Sequence, residues 1–287
     1  MASQRKLRTG VAAVCAVVTV GGVGGCSQFD LVRADADAVP VAVAPTPSPS
    51  PDPFKGLSAD EIAERAVDAT TSAKSLRMTG RVSAEGQPVN VDFSVNDRAE
   101  CTGRLTVEGG IAEVRQKDKV AYMKGDEKFW RVSMTAQGLP PAQIEATLEL
   151  LKGRWVKFAA GQPGSAELAG VCDLEALLAD LEQDEAARTG MTRAKDGRIG
   201  STPTATLVKQ KADAGGSPHG RSPRGSTTVS VAMKGKPYIL RIVRTGGEDP
   251  GTIRFSAFDK PVKVVTPPAD ETIDLSRLTP AAPPTAA

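Results

Sequence analysis

Histidine is almost missing from this sequence. His219 is the only one in 287 residues, and it stands in the run Gly215-Gly216-Ser217-Pro218-His219-Gly220, which has almost nothing to bury. A Ser-His-Asp or Cys-His mechanism needs an imidazole held against its nucleophile, which argues against hydrolases of that kind. Cysteine is scarce too, and Cys15, Cys26, Cys101 and Cys172 do not make a zinc-ligand spacing. Gly109-Gly110 and Gly246-Gly247 lack the longer pattern of a phosphate loop. Acidic pairs such as Asp180 and Glu182 fall on a solvated helix face. No catalytic residue, metal site or cofactor is expected, and the chain does not read as an enzyme.

A charge excess is also lacking. The sequence has 36 Lys and Arg against 34 Asp and Glu, and removal of the first 25 residues takes Arg5, Lys6 and Arg8 with no acid, leaving 33 against 34. A near-neutral chain without a basic patch gives no electrostatic reason to bind nucleic acid. Long apolar runs are absent as well. Val11 to Val20 is apolar apart from Thr19, which is shorter than the roughly 18 residues a spanning helix needs.

That short run has a context. Arg5, Lys6 and Arg8 precede it and small residues follow, the three-part layout of an export signal, so it is expected to be cleaved. Val23-Gly24-Gly25-Cys26 resembles the lipobox of bacterial lipoproteins. The resemblance implies a signal peptide over residues 1–25, cleavage before Cys26 and a diacylglyceryl group on its thiol. Two acyl chains, at about 0.8 kcal/mol per buried CH₂, would hold the protein stably to a membrane where one would be marginal. The alternative is an ordinary secretory signal cut at the same small residues. Cys15 would leave with the signal.

With Cys26 lipidated, Cys101 and Cys172 remain. In an oxidising, extracytoplasmic compartment a leftover pair most simply forms a disulfide, closing a loop of about 70 residues; two buried free thiols are the other reading. Residues 26–56 carry Pro40, Pro45, Pro47, Pro49, Pro51 and Pro53. Proline at alternate positions feeds neither a helix nor a ladder, so this stretch is expected to be a semi-rigid tether.

About 230 residues are left, enough for one large domain, placed at 57–278. Ser58 and Glu61 form a capping-box pattern, and Leu57 can staple against Ile62. Apolar positions follow at Ile62, Ala66, Ala69, Ala73 and Leu76. The period then changes to two. Leu76 to Ala84 and Val89 to Val95 read as a hairpin, Cys101 to Val107 and Ile111 to Gln116 as a second, and Val120 to Met123 as a fifth strand of a meander. Asp126 to Gln137 is ambiguous. Ala142 to Lys152 behind Pro140-Pro141 reads as a helix, Trp155 to Phe158 as a short strand, and Val171 to Gln183 as a second, Leu-rich helix. Its stripe of Leu174, Leu177, Leu178 and Leu181 reads as core, with a lid over a cavity as the alternative. Strands are expected again over Thr189–Lys195, Thr204–Lys211, Thr227–Met233, Tyr238–Arg244 and Thr252–Phe258, with a turn at Asp196-Gly197. A mobile loop is expected at 212–226, an extended segment from Pro261, and a disordered tail at 279–287.

The sequence Gly235-Lys236-Pro237-Tyr238-Ile239-Leu240-Arg241-Ile242, then Phe255-Ser256-Ala257-Phe258-Asp259-Lys260-Pro261-Val262 and Pro267-Pro268, resembles the closing strands of LppX/LprG-type lipoproteins of actinobacteria, which are LolA-like. Cys101-Thr102-Gly103-Arg104, Gly109-Gly110, Lys119-Val120-Ala121-Tyr122-Met123, Phe129-Trp130 and Gly200-Ser201-Thr202-Pro203-Thr204-Ala205 fit the same group. The resemblance implies an α+β fold, a curved antiparallel half-barrel sheet wrapped around a few helices, with an apolar cavity that in some relatives accepts acylated lipids or glycolipids.

On that reading Val91, Phe93, Val95, Leu105, Val107 and Trp130 are the candidate cavity residues, though the same residues would serve a filled core. The expected partners are a membrane through the lipid anchor and a lipid or glycolipid ligand. The competing expectation is an envelope accessory protein with a filled core, which binds a protein partner instead. A monomer is expected in either case.

Overall fold

The computed structural model describes residues 51–84, 86–159, 165–183, 185–210, 225–246 and 250–274, all within the compact unit Ser50–Ala287. The signal peptide at 1–25, Cys26, the tether up to residue 50, His219 with most of the 212–226 loop, and the tail at 279–287 lie outside the described residues. Packing begins before the tether's expected end. Phe54 is buried in the core, its backbone N–H donating to Asp52, whose carboxylate also pairs with Arg193 at 2.9 Å.

Helix α1 (Ala59–Thr71) starts as its sequence dictates. Ser58 accepts from the Glu61 backbone N–H at 3.2 Å, and the Glu61 carboxylate accepts from the Ser58 N–H at 2.7 Å. It ends earlier than the apolar spacing suggested. Ser72 is the C-cap, and Ala73 and Leu76 lie beyond the helix. Its buried stripe is Ile62, Ala63, Ala66, Val67 and Thr70. The small alanines let it lie close to the sheet, and the Thr70 hydroxyl donates to the Ala66 carbonyl while accepting from the Ile239 N–H at 2.9 Å.

Strands β1 (Ser75–Ala84), β2 (Gln87–Asn96), β3 (Cys101–Val107), β4 (Gly110–Lys117) and β5 (Val120–Gly125) form the expected antiparallel meander. Glu108 and Gly109 (φ 49° and 81°) and Asp118 and Lys119 (φ 51° and 63°) put both central turn residues in the left-handed region, as a two-residue type I′ hairpin demands. The ambiguous stretch becomes α2 (Glu127–Ala136). Asp126 caps it, accepting from Phe129 N–H at 2.7 Å and, with its other oxygen, from Ile111 N–H at 3.0 Å. Helix α3 (Pro141–Leu151) and β6 (Trp155–Phe158) follow as expected.

The Leu-rich segment is two helices rather than the single helix expected from Val171 to Gln183. Helix α4 (Ser165–Val171) stops and α5 (Leu174–Gln183) restarts, because Asp173 accepts from the N–H groups of Glu175 and Ala176 and so caps a new helix. A short α6 (Glu185–Arg188) follows. The expected strand at Thr189–Lys195 is reduced to β7 (Thr192–Arg193). The expected turn at Asp196-Gly197 instead opens a short strand, β8 (Gly197–Ile199), which pairs with β9 (Thr202–Gln210). Strands β10 (Ser226–Ala232), β11 (Ile239–Thr245) and β12 (Gly251–Ser256) match the remaining expectations. The segment after Pro261 is not extended throughout: a 3-10 turn at Ala269–Glu271 interrupts it before β13 (Thr272–Asp274) adds to β6 in parallel.

The class is α+β. The strand order is β13-β6-β5-β4-β3-β2-β1-β12-β11-β10-β9-β7, an open sheet whose two ends do not pair with each other among the described residues. All pairings except β13–β6 are antiparallel. The sheet turns around the helices, since α1 meets β7, β10 and β11 on one side, packs on α5, and α4 meets β5 on the other. The disulfide between Cys101 and Cys172, with Cα atoms 5.1 Å apart, ties the start of β3 to the α4–α5 junction.

Candidate functional site

Register determines which side chains share the inner face of the sheet. Leu76 lies opposite Val95, Met78 opposite Phe93, and Gly80 opposite Val91; across the next pair Val95 faces Cys101, Phe93 faces Gly103, Val91 faces Leu105 and Val89 faces Val107. On the other flank Met78 faces Phe255, Gly80 faces Ile253, and Ile253 faces Ile242. One continuous apolar face therefore runs from β3 to β11.

The helices cover this face unequally. Towards Leu76 it is sealed: Leu76, Phe93, Val95, Cys101 and Val114 are at most 2% exposed, beneath α1 and Leu174 and Leu178 of α5. Towards Val82 it is only partly covered. There Met78, Val82, Ile242, Ile253 and Phe255 form a floor, Leu177 and Leu181 of α5 form a roof, and Ser83, Arg244, Pro250 and Gly251 form the rest of the wall. The cleft between them has a volume of about 270 Å³. Small-molecule sites generally run from roughly 300 Å³ upward, so this one suits a slender group such as an alkyl chain.

Two glycines shape the floor. A Cβ on Gly80 would sit 2.0 Å from the Thr252 carbonyl oxygen, and one on Gly251 would sit 2.7 Å from that of Arg81. The β1 and β12 backbones approach closely at positions where only glycine fits, and neither glycine fills the space above the sheet.

Larger grooves lie elsewhere, and their chemistry differs. One of about 490 Å³ between β4–β5 and α2–α3 is bordered by Arg104, Glu113, Lys124, Glu149 and Lys152. Another of about 570 Å³ has Lys74, Asp97, Arg98 and Glu182 on its walls. A third, about 380 Å³ beside α4, mixes alanines with Gln116, Lys119 and Asp173. Charged walls need water, so these are poorer places for an apolar ligand than the cleft under α5.

The sequence-predicted residues fall on both sides of this division. Phe93 and Val95 lie in the sealed core, at 1% and 0% exposure. Val91, Leu105, Val107 and Trp130 are partly buried and pack against the same core. Val91 and Leu105 continue the cleft's floor beyond β1. Trp130, on α2, also packs on Met134, Ile144 and Leu148. Sequence reasoning missed Met78, Val82, Ile242, Arg244, Ile253 and Phe255. Their alternation was readable, but the pairing of β1 with β12, some 170 residues later, was not. The leucine stripe reads as core or lid, and the structure puts its Leu177 and Leu181 on the cleft's roof.

A polar clamp holds the sealed end. Asp259 accepts from the Tyr238 hydroxyl at 2.6 Å and from the Lys74 backbone N–H at 2.9 Å, with the Lys236 ammonium at 3.4 Å. These donors, the Tyr238 hydroxyl foremost, pull its carboxyl down to about 2. The Asp259 N–H in turn donates to the Ser75 carbonyl, and Tyr238 stacks on Phe258 with centroids 3.9 Å apart. No group of His, Cys, Asp and Glu among the described residues could hold a metal ion. No helix among them is long and apolar enough to cross a membrane.

No family model matches the sequence. No curated protein matches it. Among solved structures the chain is similar to LprF from Mycobacterium bovis, at 15% identity over 73% of this chain and 96% of that one, with a TM-score of 0.48. It is similar to the Mycobacterium tuberculosis lipoprotein LppX at 15% identity, covering 72% of this chain and 98% of that one, with a TM-score of 0.43. It is also similar to the LolA superfamily protein NE2245 from Nitrosomonas europaea, at 10% identity over 75% and 96% of the two chains and a TM-score of 0.21. LppX is of the group whose closing strands this sequence resembles.

Proposed function

We propose that this protein is an extracytoplasmic lipoprotein, held to a membrane through Cys26, that binds a hydrophobic ligand in the cleft between α5 and strands β1, β12 and β11. The observation that carries the reading is the uneven sealing of one apolar face. Leaving Met78, Val82, Ile242 and Ile253 partly in water forgoes roughly 25 cal/mol for each Å² of apolar surface left exposed. An alkyl chain laid on them recovers that stabilisation. The Val23-Gly24-Gly25-Cys26 pattern and the Cys101–Cys172 disulfide support an exported location. The ligand is carried or sensed by binding alone, without a chemical step.

The test is native mass spectrometry, with lipid extraction, of the full chain purified from its own membranes. A lipid should be retained by the native protein and lost from Leu177→Trp, whose indole fills the cleft, with little change in Tm. Protein that carries no lipid, or a Leu177→Trp variant that carries as much, would sink the reading. Substituting Cys26→Ser should release the chain from the membrane or block its processing, and unchanged membrane association would refute lipidation. If a crosslinked protein partner accounts for function and cleft filling leaves it intact, the chain is an accessory protein instead.

A further inference from the structure

Among the described residues every cleft-lining side chain but two is apolar: the exceptions are the neutral Ser83 and the cationic Arg244. Arg244 lies on β11 opposite Gly251 on one flank and Thr227 on the other, so neither cross-strand neighbour offers a carboxylate. Register places it two residues along from Ile242, on the inner face. It is exposed, and among the described residues its guanidinium has no ion-pair or hydrogen-bond partner. The other inner-face positions of the same neighbourhood are Met78, Gly80, Val82, Ile253 and Ile242. Arg77, Arg104, Lys124 and Lys157, on the outer face, all have carboxylate partners within 4 Å.

We propose that the cleft selects amphiphiles with an anionic head group, the alkyl chain lying on Ile242, Ile253 and Leu177 and the head group paired with Arg244. This rests on the reading of the cleft as a hydrophobic site and adds the chemistry of its ligand. An uncharged chain end that covers Arg244 strips water from a cation and gives nothing back, which costs binding energy. A phosphate or carboxylate at the same place forms a charge-assisted, two-pronged hydrogen bond that a guanidinium is shaped to make. The long stem of Arg244 can lie along the apolar floor while its head stays at the mouth. The same residue therefore favours one class of ligand and penalises the other.

The experiment offers the full chain equimolar oleyl phosphate and oleyl alcohol, which share a chain and differ in head group, and reads the retained ratio by native mass spectrometry. A charge-assisted hydrogen bond corresponds to a preference of about 10-fold to 100-fold for the phosphate. Arg244→Gln should bring the ratio close to one by losing the phosphate and keeping the alcohol, and Arg244→Lys should keep part of the preference. Neutralising the nearby acids in the chain, Glu248→Gln with Asp249→Asn, should leave the preference unchanged or raise it. Equal retention of both probes by the native protein overturns the head-group proposal alone, as does a ratio that Arg244→Gln leaves unchanged or that the acid-neutralised variant loses. Retention of neither probe overturns the cleft reading and this proposal together.

Discussion

The two ends of one sheet face, built from the same alternating pattern, have different fates. Towards Leu76 and Val95 the face is roofed by α1 and by Leu174 and Leu178 of α5, crossed by the Cys101–Cys172 disulfide and clamped through Asp259. Towards Val82 and Gly251 the same strands carry equally apolar residues under only Leu177 and Leu181. Hydrophobicity therefore does not decide which end is core. Cover decides it, and cover depends on where the helices are tethered.

The largest effect expected is at the tether. Replacing both cysteines, Cys101→Ala with Cys172→Ala, removes a cross-link across a sequence separation of 71 residues and leaves space where two fully buried sulfurs stood. Chain entropy alone puts the loss at about 4 kcal/mol. Urea unfolding should show this as a large drop in midpoint. The lost protection against hydrogen exchange should begin at α4 and α5, the elements released from the sheet. A midpoint that stays where it was would mean that packing alone holds the helices, and that the disulfide does not distinguish the ends.

A paired truncation sharpens the contrast at the level of single side chains. Phe93, 1% exposed with its ring against Gly103, should cost about 3–5 kcal/mol as Phe93→Ala, because the sealed end cannot collapse into the void. Ile253→Ala, on the floor of the cleft, should cost less than about 2 kcal/mol while weakening retention of an alkyl ligand. Equal costs in the two variants would show that the cleft is as well packed as the core, which removes the basis for a ligand there.

How far the sequence anticipates this contrast follows from the range of the interactions. Local chemistry was readable: the Ser58–Glu61 capping box, the meander from β1 to β5, Pro141 at the start of α3 and the pairing of Cys101 with Cys172 all depend on near neighbours, composition or elimination. The break at Cys172-Asp173 was not, since no Gly or Pro stands at those two positions and only the Asp173 side chain, accepting from the Glu175 and Ala176 N–H groups, caps the new helix. Nor was the junction of β1 with β12, which brings Ile253 and Phe255 beside Gly80 and Met78. Alternation tells which residues share a face of one strand, but not which strand lies next to it. That is why alternation puts Val91, Phe93, Val95, Leu105 and Val107 on one face, as their register does, while the residues that floor the cleft come from β1, β12 and β11.

The smallest expected effect separates the ends by acidity. With its carboxyl held near 2, below the ordinary 3.8, Asp259 is bound in its charged form by the Tyr238 hydroxyl, the Lys74 N–H and Lys236. A carboxylate with a depressed native pKa contributes stability that is fully present above its unfolded value and lost as pH falls through the native one. The window is therefore between about pH 4 and pH 2. Its side chain is 39% exposed, so solvent screening keeps the contribution below about 1 kcal/mol. Asn is the informative replacement, because it tolerates the left-handed backbone of Asp259 (φ 56°) and, while its amide nitrogen takes the place of one of the two accepting oxygens, it does not titrate in this window. The native protein should be more stable than Asp259→Asn at neutral pH, and the gap should close as the solution is taken down to pH 2. Other depressed carboxylates, such as Asp92, titrate in both proteins and cancel in the difference. A gap that stays constant across that window would show that the clamp works through shape rather than charge. Acid would then loosen the sealed end no sooner than the cleft.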